Sequence, residues 1–196
     1  MEKKNKKTCI FSGIAVLVLV LLDQLTKYLA VRFLKGQAAI PIIKDVFELK
    51  YLENTSAAFG IDPISLLHKF FQFEVFKQNP QFYLEVRMGF FYVLTIAMIC
   101  LFIWIFKKIP NNKRFMFLDW IFIFITAGAI GNLIDRMMQQ FVVDFLYFKL
   151  IDFPIFNVAD IYVTCASVAL IVVGIFYYKD EDIDMIFPSK KDKEKA

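Results

Sequence analysis

Residues 9–29 read "CIFSGIAVLVLVLLDQLTKYL". From Cys9 to Leu22 the run is almost wholly apolar; Asp23, Gln24 and Lys27 then interrupt it without displacing Leu25, Tyr28 and Leu29. About 20 such residues are what an α-helix needs to cross roughly 30 Å of hydrocarbon, and a helix satisfies its own backbone there. With "MEKKNKK" in front, the run has the basic n-region and apolar h-region of a secretory signal peptide. No small-x-small cleavage site follows. Instead comes "DQLTKYLA", with Asp23 and Lys27 one helical turn apart on one face. The stretch is therefore an uncleaved first membrane helix.

Three further runs repeat this composition. Residues 88–106 are almost without polar groups, residues 115–137 carry Asp119 early and Asn132 and Asp135 late, and residues 161–178 form the last. Of all residues 59% are hydrophobic, above the roughly 45–50% of an ordinary soluble domain, and the mean hydropathy is +0.57. One domain's worth of chain could not hide 24 phenylalanines in a water-solvated core. The expected fold is an α-helical membrane protein: one integral membrane domain over residues 1–196, with four transmembrane helices at about 9–29, 88–106, 115–137 and 161–178 and a small extracytoplasmic β-sheet.

Lysine and arginine near the helix ends set the direction. Lys3, Lys4, Lys6 and Lys7 precede the first run, "KKIPNNKR" links the second to the third, and Lys179 opens a tail ending "SKKDKEKA". These sides, and both termini, are expected in the cytoplasm. Residues 31–87 and 138–160 are then outside. The net charge of +4 sits at Lys-rich ends rather than in a basic stripe interleaved with aromatics, which argues against nucleic acid as a partner. Cys9, Cys100 and Cys165 are odd in number and lie in or beside apolar runs, so they are expected as small buried hydrophobes rather than disulfides.

In the outer loop, "DVFELKYLEN" alternates Phe47, Leu49 and Tyr51 with Glu48, Lys50 and Leu52, the period of a half-buried strand. Pro41 among isoleucines suggests an earlier edge strand. The insertion 61–85 mixes aromatics and charges without a clean period; an interfacial helix and a hairpin both fit. The tail 179–196 is expected to be disordered toward its end.

Carboxylates in or beside a span cost about 2.5–3.5 kcal/mol at a helix centre, so they face partners or a wet cavity. Here they gather on the outer side: Asp23, Asp135, then Asp144 and Asp160 at the mouths of the last two spans, with Lys27, Asn54, Asn132, Arg136 and Asn157 at the same level. In a four-helix bundle they converge. Two carboxyls held together ionise unequally, one keeping a proton while the other acts as a base, and such a pair can activate water and protonate a leaving amine. The serines have no nearby base, His68 lies in the insertion as a surface residue, and the outer face offers too few His or Cys for a metal site. Simpler roles stand beside these. Asp135 and Arg136 make an internal ion pair, Asp23 and Lys27 either neutralise one another or meet substrate, and Asn132 and Asn157 either join helices or position substrate.

The segments "DQLTK", "NTSAAFG", "GNLIDR", "VVDF" and "FNVAD" occur in one order over roughly residues 10–178. In that order they resemble the lipoprotein signal peptidases (signal peptidase II), bacterial membrane aspartyl enzymes. The resemblance implies that Asp144 and Asp160 are the catalytic pair, and that Asp23, Lys27, Asn54, Asn132, Asp135, Arg136 and Asn157 bind substrate or brace the dyad. It implies a substrate as well, a diacylglyceryl-modified prolipoprotein cut before its lipid-bearing cysteine. The site would lie at the outer face of the bacterial cytoplasmic (inner) membrane, in contact with lipid, with no cofactor or metal and with globomycin-like cyclic peptides as inhibitors. Two positions depart from the family pattern: Ser56 and Gln140 stand where glycine is usual, and Gln140 gives the loop before Asp144 less backbone freedom.

A second reading is a small proton-coupled transporter or channel subunit using the same acidic cluster. It predicts inverted repeats or broken helices in matching halves, and the sequence contains neither. A non-catalytic scaffold would leave the acidic cluster unexplained.

Overall fold

The computed structural model describes residues 4–56 and 63–187. In chain order the elements are α1 (Lys6–Leu34), β1 (Ile40–Ile43), β2 (Phe47–Asn54), α2 (Pro63–Phe71), α3 (Glu74–Gln78), α4 (Pro80–Lys108), α5 (Met116–Gln139), β3 (Val142–Phe148), α6 (Val158–Phe176) and α7 (Asp180–Ile186). Among the described residues four helical segments are long and apolar enough to cross a membrane: Lys6–Leu34, Pro80–Lys108, Lys113–Gln139 and Val158–Phe176. The segment containing α5 is the buried member, with 56% of its apolar window buried against 17%, 6% and 11% for the other three. Their large exposed surface of Leu, Ile, Val and Phe is what lipid covers, and the chain is a multi-pass membrane protein. Cys9, Cys100 and Cys165 are exposed on α1, α4 and α6, correcting the expectation of burial. When lipid is the solvent, an apolar side chain gains nothing by turning inward.

Helix ends follow capping chemistry. The Asn5 side chain accepts the N–H of Thr8 at 2.8 Å to open α1, and Asn79 accepts that of Phe82 at 3.0 Å to open α4, where Pro80 takes the first position. α4 thus begins at Pro80 rather than at Met88.

The chain forms two compact units, one of Met1–Leu22, Met98–Ile130 and Ala159–Ala196, the other of Asp23–Ala97 and Gly131–Val158. The core of the first gathers Ile109, Phe115, Leu118, Phe122 and Ile125 of the α5 region with Ala166 of α6 and Ile186 of α7. α5 and α6 approach closely at Gly128, where a Cβ would stand 2.5 Å from the Ala159 carbonyl oxygen. α7 is docked by Asp182, which takes both Arg114 Nε (2.5 Å) and Nη2. The tail from residue 179 was expected to lose order toward its end; its first part is this helix, and residues 188–196 lie outside the described residues.

The second unit holds an antiparallel sheet in the order β1-β2-β3, with Leu52 opposite Asp144 and Asn54 opposite Val142. The two expected strands are present. The third, β3, comes from a segment read as loop, so Asp144 stands within a strand and not at the mouth of a span. The sheet's inner face packs Val143 and Phe145 against Ala30 and Leu34 of α1. Within the predicted alternation Glu48 is buried rather than exposed, because Lys149 meets its carboxylate at 2.7 Å. The insertion is helical, α2 and α3 leading into α4, with no hairpin among its described residues. His68 is half-buried there against the rings of Phe76 and Tyr83, at 5.5 and 5.7 Å, and is not a plain surface residue.

Candidate active site

Seven of the nine residues singled out in the sequence form one hydrogen-bonded network in the second unit. It starts on α1, where Lys27 Nζ lies 2.9 Å from Asp23 Oδ2, the contact expected one turn apart on a helix. The same ammonium lies 3.2 Å from Asp135 Oδ2 of α5 and donates at 2.9 Å to Asn132 Oδ1, one turn earlier on that helix. The side chains of Asp23, Lys27 and Asp135 are at most 5% exposed. Burial at that depth is tolerable because each charge finds an opposite one and hydrogen bonds fill the remaining positions. Asp135 accepts from Gln24 Nε2 at 3.0 Å and from the backbone N–H of Val143 at 3.0 Å. Its ion-pair partner is Lys27, not the adjacent Arg136 as the sequence suggested, because neighbours along a helix point in different directions.

From Asn132 the network turns to the strand. Asn157 Nδ2 donates to Asn132 Oδ1 at 3.1 Å and to Asp144 Oδ1 at 2.6 Å, and Asn54 Nδ2 donates to Asp144 Oδ2 at 2.7 Å. Amide orientation here follows from polarity. Lysine only donates, so Asn132 must offer it oxygen; the backbone N–H of Ser56 takes Asn54 Oδ1 at 2.9 Å, so Asn54 must turn its NH₂ to Asp144. Both Asp144 oxygens are acceptors, the arrangement an ionised carboxylate uses. Asp144 is 1% exposed and Asn157 0%.

Strand pairing places these groups. Asn54 ends β2 opposite Val142, and the "NTS" turn beyond it is tied back by Arg87 of α4, which donates to the Thr55 carbonyl, and by Arg136 of α5, which donates to that of Ser56 at 3.4 Å. The Arg136 guanidinium also lies 5.3 Å from the Phe91 ring. The rest of "NTSAAFG" lies outside the described residues. One residue before Asn54, Glu53 accepts from the Lys35 ammonium at 2.7 Å. That bond raises Lys35 above its ordinary pKa and lowers Glu53 below its own, so both stay charged.

Asp160 sits in the first turn of α6, half-buried and three residues after Asn157, in the first unit. The segment that enters Asp144 turns at Gln140, whose φ of 65° is in the left-handed region that favours glycine. A side chain is carried there at the position where the resemblance expected none.

Gln24 and the Val143 N–H were missed by sequence reasoning. Gln24 carried a signal, an amide beside Asp23 in an apolar run; a backbone N–H carries none. Among the described residues no group of three or more His, Cys, Asp or Glu is arranged to hold a metal ion.

This arrangement has relatives. The family model described as signal peptidase (SPase) II matches residues 15–176. The chain is 35% identical to the lipoprotein signal peptidase of Caldanaerobacter subterraneus subsp. tengcongensis, over 83% of this chain and 94% of that one. It is 37% identical to the lipoprotein signal peptidase of Brevibacillus brevis, over 81% and 90%. A bacterial membrane enzyme solved by the in meso method at 1.9 Å resolution superposes with a TM-score of 0.67 at 26% identity, over 91% of this chain and 99% of that one. With a family match over most of the chain and relatives above 30% identity along nearly their whole length, the chain belongs to the signal peptidase II family.

Proposed function

We propose that this membrane peptidase removes the signal peptide of diacylglyceryl-modified prolipoproteins, cutting before the lipid-bearing cysteine, with Asp144 and Asp160 as its catalytic pair. The observation that carries the assignment of Asp144 is its carboxylate, buried yet held on both oxygens by amide donors at 2.6 and 2.7 Å. A carboxylate buried in a membrane protein and oriented on both oxygens by asparagine amides is a candidate for chemistry. Asp160 enters as the second carboxyl because it lies in the first turn of α6, three residues after Asn157, which donates to Asp144.

In the reaction Asp144 takes a proton from water, and the water oxygen attacks the scissile carbonyl carbon. Asp160, carrying a proton, gives it to the departing nitrogen as the C–N bond breaks. Proton exchange with solvent resets the pair. Asn54, Asn132 and Asn157 hold the base, Lys27 with Asp23 and Asp135 anchors Asn132, and Arg136 holds the turn after β2, where an extended substrate backbone would lie. The lysine bias supports both termini in the cytoplasm and the site at the outer face of the cytoplasmic membrane, where a lipidated cysteine would keep its acyl chains in the bilayer while its amide meets water. Globomycin-like cyclic peptides would compete with the substrate for the dyad. The family assignment disfavours the proton-relay reading.

Asp144→Asn and Asp160→Asn test the pair with purified protein and a lipidated precursor. Each should abolish cleavage while thermal unfolding shows a folded protein. Asp144→Asn turns one NH₂ toward an amide donor, a cost of about 1–3 kcal/mol, so Asp160→Asn is the cleaner variant. Cleavage near the wild-type rate by either folded variant would disprove the assignment.

A further inference from the structure

The first turns of α1, the linker after α4 and the first turns of α5 enclose a cleft of about 630 Å³, a size typical of small-ligand sites. No residue of the candidate active site lines it. Thr8 Oγ1 donates to Asn111 Oδ1 at 3.0 Å, holding α1 to the linker. One wall is apolar: Phe11, Trp120 and Ile123 line it, and the first two rings meet edge to face at 5.7 Å. Lys7 and Lys113 also line the cleft, both exposed and neither in an ion pair among the described residues.

Asp119 supplies a third kind of group. It lines the same cleft, its Oδ2 is taken by Lys4, and its Oδ1 is buried without a hydrogen-bond partner among the described residues. With Asp119 neutralised by Lys4, the cleft keeps the two positive charges of Lys7 and Lys113 beside an apolar wall and an acceptor that lacks a donor. A ligand matching all three is an anion with a hydrocarbon tail and a hydroxyl.

We infer that the cleft binds the headgroup of a membrane glycerophospholipid of the phosphatidylglycerol type. The phosphodiester lies between Lys7 and Lys113, a headgroup hydroxyl donates to Asp119 Oδ1, and an acyl chain runs along Phe11 and Trp120. Two lysines and a tryptophan lining one cleft at a lysine-rich end of the spans fit that ligand.

The chain has two tryptophans, so Trp104→Phe leaves Trp120 as the reporter. The protein is reconstituted in phosphatidylcholine vesicles with increasing fractions of acyl-brominated phosphatidylglycerol or phosphatidylcholine. Half-maximal quenching of Trp120 is expected at about a 30-fold lower fraction of phosphatidylglycerol, taking about 1 kcal/mol for each of the two lysines. The preference should vanish in Lys7→Gln/Lys113→Gln and persist in Lys107→Gln/Lys108→Gln, which removes equal charge from the end of α4. Equal quenching by both lipids, or a preference that survives the Lys7/Lys113 variant, overturns the site. Equal loss in both double variants reduces it to general surface charge and overturns it too. Relief of quenching by millimolar glycerol phosphate would make it a site for free phosphate and refute the lipid assignment.

Discussion

Replacing Lys27 by Met keeps the side-chain stem and removes the ammonium. That ammonium serves Asp23 Oδ2 at 2.9 Å, Asp135 Oδ2 at 3.2 Å and Asn132 Oδ1 at 2.9 Å. Removing one partner of a buried ion pair costs about 3–5 kcal/mol, mostly because the opposite charge stays behind unpaired. Two carboxylates are stranded here, so the upper end, about 5 kcal/mol, is expected. The triple variant Lys27→Met/Asp23→Asn/Asp135→Asn removes both charges with their cation and should recover most of that loss. A deficit of about 1 kcal/mol should remain, because an amide in place of the Asp135 carboxylate cannot accept from both Gln24 and the Val143 N–H as the carboxylate does. Unfolding in mixed dodecyl maltoside and SDS micelles, followed by circular dichroism, measures both variants. In cleavage of a lipidated precursor, the folded triple variant should turn over about 2- to 10-fold more slowly, the equivalent of one orienting hydrogen bond to Asn132. A single variant within about 1 kcal/mol of wild type, or a triple variant no more stable than the single, would refute the claim that Lys27 neutralises a buried acidic pair.

Gln140→Gly should raise stability by about 0.5–1 kcal/mol, the left-handed strain relieved less the added freedom of the unfolded chain, and leave cleavage unchanged; a loss of stability in the same micelle titration would contradict the backbone account of φ 65°. Gly128→Ala puts a methyl 2.5 Å from the Ala159 carbonyl oxygen and 2.7 Å from Val163 Cγ2, and should cost about 1–3 kcal/mol; adding Val163→Ala should restore little, since the backbone contact stays. Docking of α7 should depend on acid. Arg114 first, and then the Lys179 N–H, lower the Asp182 carboxyl from 3.8 to about 2, so its contribution is full above the ordinary value and is lost as the pH falls through about 2. Trp104, whose ring lies 6.0 Å from that of Phe187, reports this by fluorescence in a Trp120→Phe background; an acid transition that persists in Asp182→Asn would assign it elsewhere.

Much of the molecule was legible along the chain because its determinants are local. A run such as residues 9–22 can satisfy its backbone in lipid only as a helix, so the four spans follow from composition and length. The alternation of Phe47, Leu49 and Tyr51 likewise marks a strand wherever its partner lies. The site residues stood out because a polar group is costly in an apolar run, which isolates Asp23, Lys27, Asn132 and Asp135 without any structure. Tertiary structure alone decided the pairings. Apart from Asp144 the strand that carries it is apolar at every position and shows no period, and only hydrogen bonding to β2 makes it a strand. The acid beside Arg136 pairs instead with a lysine far away in the chain, because a helix sends adjacent side chains in different directions while packing brings distant turns together. Glu48 is buried for a similar reason: Lys149 meets it across the sheet. Periodicity in one strand records which face points inward, but the charge that will be waiting there belongs to another part of the chain.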